Sequence, residues 1–264
     1  MKPHLPLPLL RAVLACFAAL STTLFTATAA EPTIPGGYTK AEIDEAADLA
    51  SWYANSNYAF LLTNADPSQP LTLTPVNCSW WSASTATVLF TGRNYFFSSW
   101  NTDTPISLTF DGGESGAPSA FRKAGTLEFQ GLGDVDFLNL YITTTTSGSP
   151  AYGGAIFASS SSPLTFIGNG DITFSGNYAT STADFAYGGA IFADSSLTFS
   201  GNRDITFSGN YATGSFAGGG AIYASSSSLT FSGNGDITFG GNYATGSSAR
   251  GGAIHAYSSL TFSG

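Results

Sequence analysis

The sequence predicts an all-β fold, a right-handed parallel β-helix, and three observations carry that expectation. First, four near-copies of one tetrad recur: Gly153-Gly154-Ala155-Ile156, Gly188-Gly189-Ala190-Ile191, Gly219-Gly220-Ala221-Ile222 and Gly251-Gly252-Ala253-Ile254. Their starts lie 35, 31 and 32 residues apart. A fixed period of this size marks a repeat architecture, in which each unit buries its apolar face only against its neighbours. Second, six Phe-Xaa-Xaa-Asn units fall between the tetrads, with Phe166, Phe174, Phe199, Phe207, Phe231 and Phe239 leading to Asn169, Asn177, Asn202, Asn210, Asn234 and Asn242. Third, apolar residues take every second place in Leu197-Thr198-Phe199-Ser200 and in Ile205-Thr206-Phe207-Ser208. Period two sends Leu197, Phe199, Ile205 and Phe207 to one face and the hydroxyls to the other.

The elements follow in chain order. Residues 1–30 read as a signal peptide: Lys2 and Arg11, then an apolar run from Ala12, then an Ala27-Thr28-Ala29 cleavage site. Residues 31–57 form a short N-terminal segment in which Thr39-Lys40-Ala41-Glu42 fits a capping box and Ile43, Ala46, Ala47, Ala50 and Tyr53 share a helical face. A helix over 38–54 is therefore expected. Residues 58–150 turn to β as an irregular solenoid start, with degenerate echoes such as Leu108-Thr109-Phe110 and Leu127-Glu128-Phe129. Residues 151–264 hold the regular repeat, ending at Phe262-Ser263-Gly264 where an Asn would complete the unit. Three strands per unit and one longer Tyr-Ala-Thr corner predict a triangular coil.

Stacked coils give the repeated residues physical work. Phe199 should lie between Phe166 and Phe231, and Phe207 between Phe174 and Phe239, as interior aromatic stacks. Asn202 should meet Asn169 and Asn234 at one corner, and Asn210 should meet Asn177 and Asn242 at another. The paired glycines allow tight corners. Folding alone thus accounts for the motif.

Composition narrows the function. Eight basic residues less Lys2 and Arg11 leave six against 17 acidic ones, so nucleic acid is not an expected partner. Cys78 is the one cysteine beyond the signal. It reads either as a buried inert thiol beside Trp80 and Trp81 or as the seat of an intermolecular disulfide. No cofactor and no metal site is expected: Gly168-Asn169-Gly170-Asp171 only loosely follows a calcium-binding nonapeptide, and Arg203 takes the second glycine's place in the next copy. Asp171, Asp204 and Asp236 recur at one position ahead of Ile-Thr-Phe, and the expectation is a turn role, each bonding its local backbone. Asp134 and Asp136 share a face without a basic residue nearby in sequence. His255 stands where Phe157, Phe192 and Tyr223 stand in the other tetrads. These four predict an outward aromatic stripe, a candidate contact surface.

Interleaved at this density, the Gly-Gly-Ala-Ile and Phe-Xaa-Xaa-Asn motifs closely resemble those of the polymorphic outer-membrane proteins (Pmp) of chlamydiae. The resemblance covers 151–264 strongly and 58–150 through the echoes. It implies an autotransporter passenger: a signal peptide, a β-helical passenger and a C-terminal barrel, with passenger and motifs associated with host-cell adhesion. No barrel-like strands follow within this sequence. The expectation is therefore a non-enzymatic, exported, Pmp-like passenger fragment contributing to adhesion or surface antigenicity, with a host-cell receptor as partner. It would be surface-displayed or secreted, or periplasmic if a barrel is missing. The open last rung is expected to self-associate. The alternatives are a truncated product without independent function and a β-helical carbohydrate-active enzyme.

Overall fold

The computed structural model describes residues 32–46, 48, 56–63, 66, 68–78, 81, 90–91, 93–101, 103–159, 163–225 and 228–264. The expected signal peptide lies outside them. The described residues form 29 strands and no α-helix.

One turn of the chain shows how the sequence makes a coil. Leu164–Ile167, Ile172–Ser175, Tyr178–Ser181, Phe185–Tyr187 and Ile191–Ala193 are five successive strands. Each pairs in parallel, and in unshifted register, with its counterpart one repeat later. The five strand positions build five sheets, of eight, six, five, four and six strands in coil order, called here the first to the fifth. The fold is a parallel β-helix. Its coil has five strands rather than the three expected, because the Tyr-Ala-Thr corner is itself two short strands. Alanine is the reason: Ala179, Ala186, Ala212 and Ala217 point inward and form a thin second core. Side chains that small let the third and fourth sheets approach closely, and the flanking aromatics are left outside.

The main core lies between the first, second and fifth sheets. Leu197–Ser200 and Ile205–Ser208 alternate buried and half-buried along their length, as period two requires. Phe199 stacks on Phe166 at 4.8 Å and on Phe231 at 4.9 Å. Phe207 stacks on Phe174 at 4.9 Å and on Phe239 at 5.0 Å. The two columns meet edge to face, Phe199 and Phe207 standing 6.1 Å apart at 87°. Each such pair contributes about 0.5–1.5 kcal/mol beyond area burial, so the columns add specificity of register to a hydrophobic interior.

The asparagines close the corners between those sheets. Asn202 Oδ1 accepts hydrogen bonds from the backbone N–H and Nδ2 of Asn169, at 3.1 and 3.0 Å. Its own Nδ2 donates to the Phe166 carbonyl at 3.0 Å and to Asn234 Oδ1 at 2.8 Å. Asn210 repeats the pattern with Asn177, Phe174 and Asn242. Every donor of these buried amides is used, which removes the penalty that an unpaired buried polar group carries. The tetrad glycines divide their labour. Gly188 sits at φ 66°, in the left-handed region that disfavours side chains. Gly189 allows contact with the next coil: a Cβ there would fall 2.0 Å from the Gly220 carbonyl oxygen.

The N-terminal helix is corrected. Thr39–Ile43 is a strand that pairs in parallel with Tyr58–Leu62 and ends the first sheet. Ala41 and Ile43 are buried at period two while Lys40 and Glu42 face out. Capping-box residues carry only a local preference, and pairing along a sheet edge overrides it. Beyond the strand, residues 44–46 and 48 are bends and short 3-10 turn rather than α-helix, and residues 47 and 49–54 of the expected helix lie outside the described residues.

Candidate functional site

The motif residues are interior. Phe166, Phe174, Phe199, Phe207 and Phe231 are buried, as are Asn169, Asn177, Asn202 and Asn210, Ala155, Ala190 and Ala221, and Ile156, Ile191 and Ile222. Gly153, Gly154, Gly188, Gly189, Gly219 and Gly220 are buried too. Toward the last coil Asn234, Phe239, Asn242, Ala253 and Ile254 are half-buried, and Gly251 and Gly252 are exposed. The structure brings these residues together as a scaffold, so contact with a partner falls to the side chains between them.

The predicted stripe is also corrected. Phe157, Phe192, Tyr223 and His255 do lie in one row, in register along the fifth sheet and outside the inward Ile row. They are not an open surface: Phe192 and Tyr223 are only 7% and 5% exposed. Tyrosines of the neighbouring fourth sheet cover them. Tyr152 lies 4.4 Å from Phe192, and Tyr187 lies 4.3 Å from Tyr223. The Phe-to-Tyr change at 223 is consistent with this half-wet layer, where the hydroxyl bonds Tyr257 and burial pushes the phenol pKa up.

Surface aromatics instead come from residues outside the motifs. Phe185 and Phe216 are 37% and 47% exposed and meet edge to face on the fourth sheet. On the third sheet Tyr141, Tyr178, Tyr211 and Tyr243 stack at 5.2, 4.8 and 5.1 Å. The signal was in the sequence: in Tyr178-Ala179-Thr180 and Phe185-Ala186-Tyr187 the small residue is the inward one. Between the fourth and fifth sheets lies a cleft of about 140 Å³ bordered by Tyr187, Phe216, Tyr223, Arg250, His255 and Tyr257.

The aspartates form a corner ladder. Asp134 Oδ1 accepts the backbone N–H of Asp171, Asp171 Oδ1 that of Asp204, and Asp204 Oδ1 that of Asp236. The turn role holds, but each carboxylate bonds the next coil rather than its own backbone. Arg203 supplies the basic partner that sequence proximity did not: it binds Asp171 through Nε and Nη2, and its Nη2 lies 3.1 Å from Asp134 Oδ1. Hydrogen bonding to Arg203 holds Asp171 below the ordinary carboxylate range. Asp136 is pushed up by burial, against hydrogen bonds from Thr173 and Thr109.

Cys78 is fully buried, and desolvation pushes its thiol up to about 11. The thiol is free and buried, so an intermolecular disulfide at this residue would need local opening to bring the sulfur to a second chain. Among the described residues no helix is long and apolar enough to cross a membrane.

With the coil in view, the comparison with known families is specific. The family model of the Chlamydia polymorphic membrane protein repeat matches residues 171–194. The chain carries the Pmp repeat. The matched segment runs from one corner aspartate through the second, third and fourth strands and the tetrad to Ile191–Ala193, about three-quarters of a coil, and supports membership of the Pmp family. No curated protein and no solved structure matches the chain. The Pmp family is one of outer-membrane and surface-associated proteins, which makes a surface protein of the passenger kind the coarse functional reading.

Proposed function

We propose that this protein is an exported, non-enzymatic β-helical passenger that contributes to host-cell adhesion or surface antigenicity. The observation that carries this reading is the division of the Pmp repeat. Its motif residues are spent on the interior; outside, the first three sheets repeat Thr and Tyr in the regular coils, and the outward rows of the fourth sheet differ from coil to coil. Along the row of the last fourth-sheet residue the occupants are Tyr152, Tyr187, Gly218 and Arg250. A regular scaffold that presents one varied face, on the fourth sheet, suits recognition by a host surface or an antibody. The aspartate corner supports a structural use over a catalytic one, since its carboxylates are engaged by backbone N–H groups and Arg203.

The test is attachment. Beads coated with the folded chain should bind host epithelial cells above albumin-coated beads, and soluble chain should compete. Binding no better than albumin would overturn adhesion, and absence of antibody labelling on intact cells would overturn surface antigenicity. Release of reducing or unsaturated sugars from acidic polysaccharides would instead support the enzyme alternative.

A further inference from the structure

The cleft between the fourth and fifth sheets has features that folding does not require. Gly218 stands in the row that Tyr152 and Tyr187 occupy in the preceding coils. A Cβ at Gly218 would lie 2.7 Å from Tyr223 Cε2 and 3.0 Å from His255 Nδ1, so the glycine leaves these two rings room beside the cleft. Tyr187 stacks on Tyr223, which meets His255 at 5.0 Å and Tyr257 at 5.8 Å edge to face, and His255 stands beside Tyr257 at 4.8 Å, so the rings make one continuous aromatic lining. The His255 Nδ1 is buried with no hydrogen-bond partner. Turning that ring over about its Cβ–Cγ bond would swing the nitrogen to the opposite side. Arg250 lines the rim, exposed and in no ion pair among the described residues. By contrast, Arg203 is engaged by two aspartates.

These properties define a ligand. About 140 Å³ is well below the roughly 300–1,000 Å³ of a drug-sized pocket, so the cleft takes one ring-sized unit at the end of a larger molecule. An aromatic lining suits a ring with an apolar face, and Ser248, Tyr257 and His255 offer hydrogen bonds to a hydroxylated edge. The unpaired guanidinium selects a carboxylate, which it can hold bidentately.

We propose that this cleft binds the carboxylate-bearing terminal ring of an acidic sugar, stacked on the tyrosines and clamped by Arg250. The site stands apart from the adhesive reading, because it is measured on the isolated chain with small sugars and without cells.

The experiment is a titration of the full chain with methyl β-glucuronide, N-acetylneuraminic acid, methyl β-glucoside and benzoate, followed by saturation-transfer NMR and the His255 ring signals. At least one acidic sugar should bind and shift the His255 signals, and the neutral glucoside should bind at least tenfold more weakly. Arg250→Gln should weaken the acidic sugar by about ten- to a hundredfold, the effect of removing a charge-assisted hydrogen bond. Tyr257→Ala, at an exposed wall residue, should weaken it as well, while Arg203→Gln leaves it unchanged. The proposal is overturned if neither acidic sugar binds, if the glucoside or benzoate binds as tightly, or if Arg250→Gln, folded by circular dichroism, binds like the parent.

Discussion

Successive coils of this helix solve the same corner in different ways. In one, the corners read Phe129-Gln130-Gly131-Leu132 and Phe137-Leu138-Asn139-Leu140; in the next they read Phe166-Ile167-Gly168-Asn169 and Phe174-Ser175-Gly176-Asn177. Leu132 and Leu140 are buried in the main core where asparagines stand one coil later. Their backbone N–H groups are nevertheless satisfied, by Asn169 Oδ1 and Asn177 Oδ1 at 3.0 Å each. Each asparagine therefore serves the coil before it, and the ladder can begin on an apolar residue. Asn139 takes the corner glycine's place at φ 56°, a conformation that asparagine tolerates better than most residues. Further back the corners are settled locally, as where Asp111 Oδ1 accepts the Gly113 N–H or Ser99 Oγ the Ile106 N–H. The early coils are individual solutions; the later ones are copies bound to one another.

The largest way to break this contrast is at the aromatic columns. Phe207→Ala, between two stacked neighbours, should cost about 3–5 kcal/mol in urea unfolding. Phe262→Ala, stacked on one side and 54% exposed, should cost under about 1 kcal/mol. Equal losses would mean that the columns do not act coil by coil. Next comes the ladder. Asn210→Leu copies the early corner into the regular region and strips Asn177 of its acceptor, so it should cost about 2–4 kcal/mol despite the added apolar surface. A neutral result would show that the amide ladder is dispensable.

The aspartate corner gives a smaller effect with a definite sign. Asp171 is held below the ordinary carboxylate value of 3.8, so its contribution is present above that value and is lost as pH falls through the folded pKa. Asp136 is raised above 3.8, so its penalty grows as pH rises from 3.8 through its folded pKa. Arg203→Gln should flatten the acid limb of the stability curve, and Asp136→Asn should remove the opposing slope just above it. Unchanged pH profiles would contradict both assignments. Smallest in energy is the thiol: Cys78 should resist maleimide in the native state and react on denaturation. Native labelling would make it a cross-linking site without local opening.

Much of this fold was legible because identical residues had to stack. The period, the Phe columns and both Asn ladders follow from one residue type recurring at one position. The five-strand coil was harder to read, since Tyr-Ala-Thr and Phe-Ala-Tyr are too short for period two to register against turn-like neighbours. The strand at Thr39–Ile43 was masked by a capping-box pattern whose local preference yields to sheet pairing. For the candidate site, the aromatic row was legible but its exposure was not: that depended on Tyr152 and Tyr187, set in another sheet. Arg203 reaching Asp134 crosses 69 residues, a distance that sequence proximity cannot span.

Coil-by-coil stacking is tested most directly by deletion. Removing residues 197–228 joins Ser196 to Leu229, which occupies the first-sheet position of Leu197, and so removes one coil. That variant should retain a parallel-β circular dichroism spectrum and a single cooperative melt near the parent's. A deletion of half that length at the same start should abolish both, because it sets every later strand against the wrong sheet. A half-coil deletion that folds as well as the whole-coil one would contradict the account.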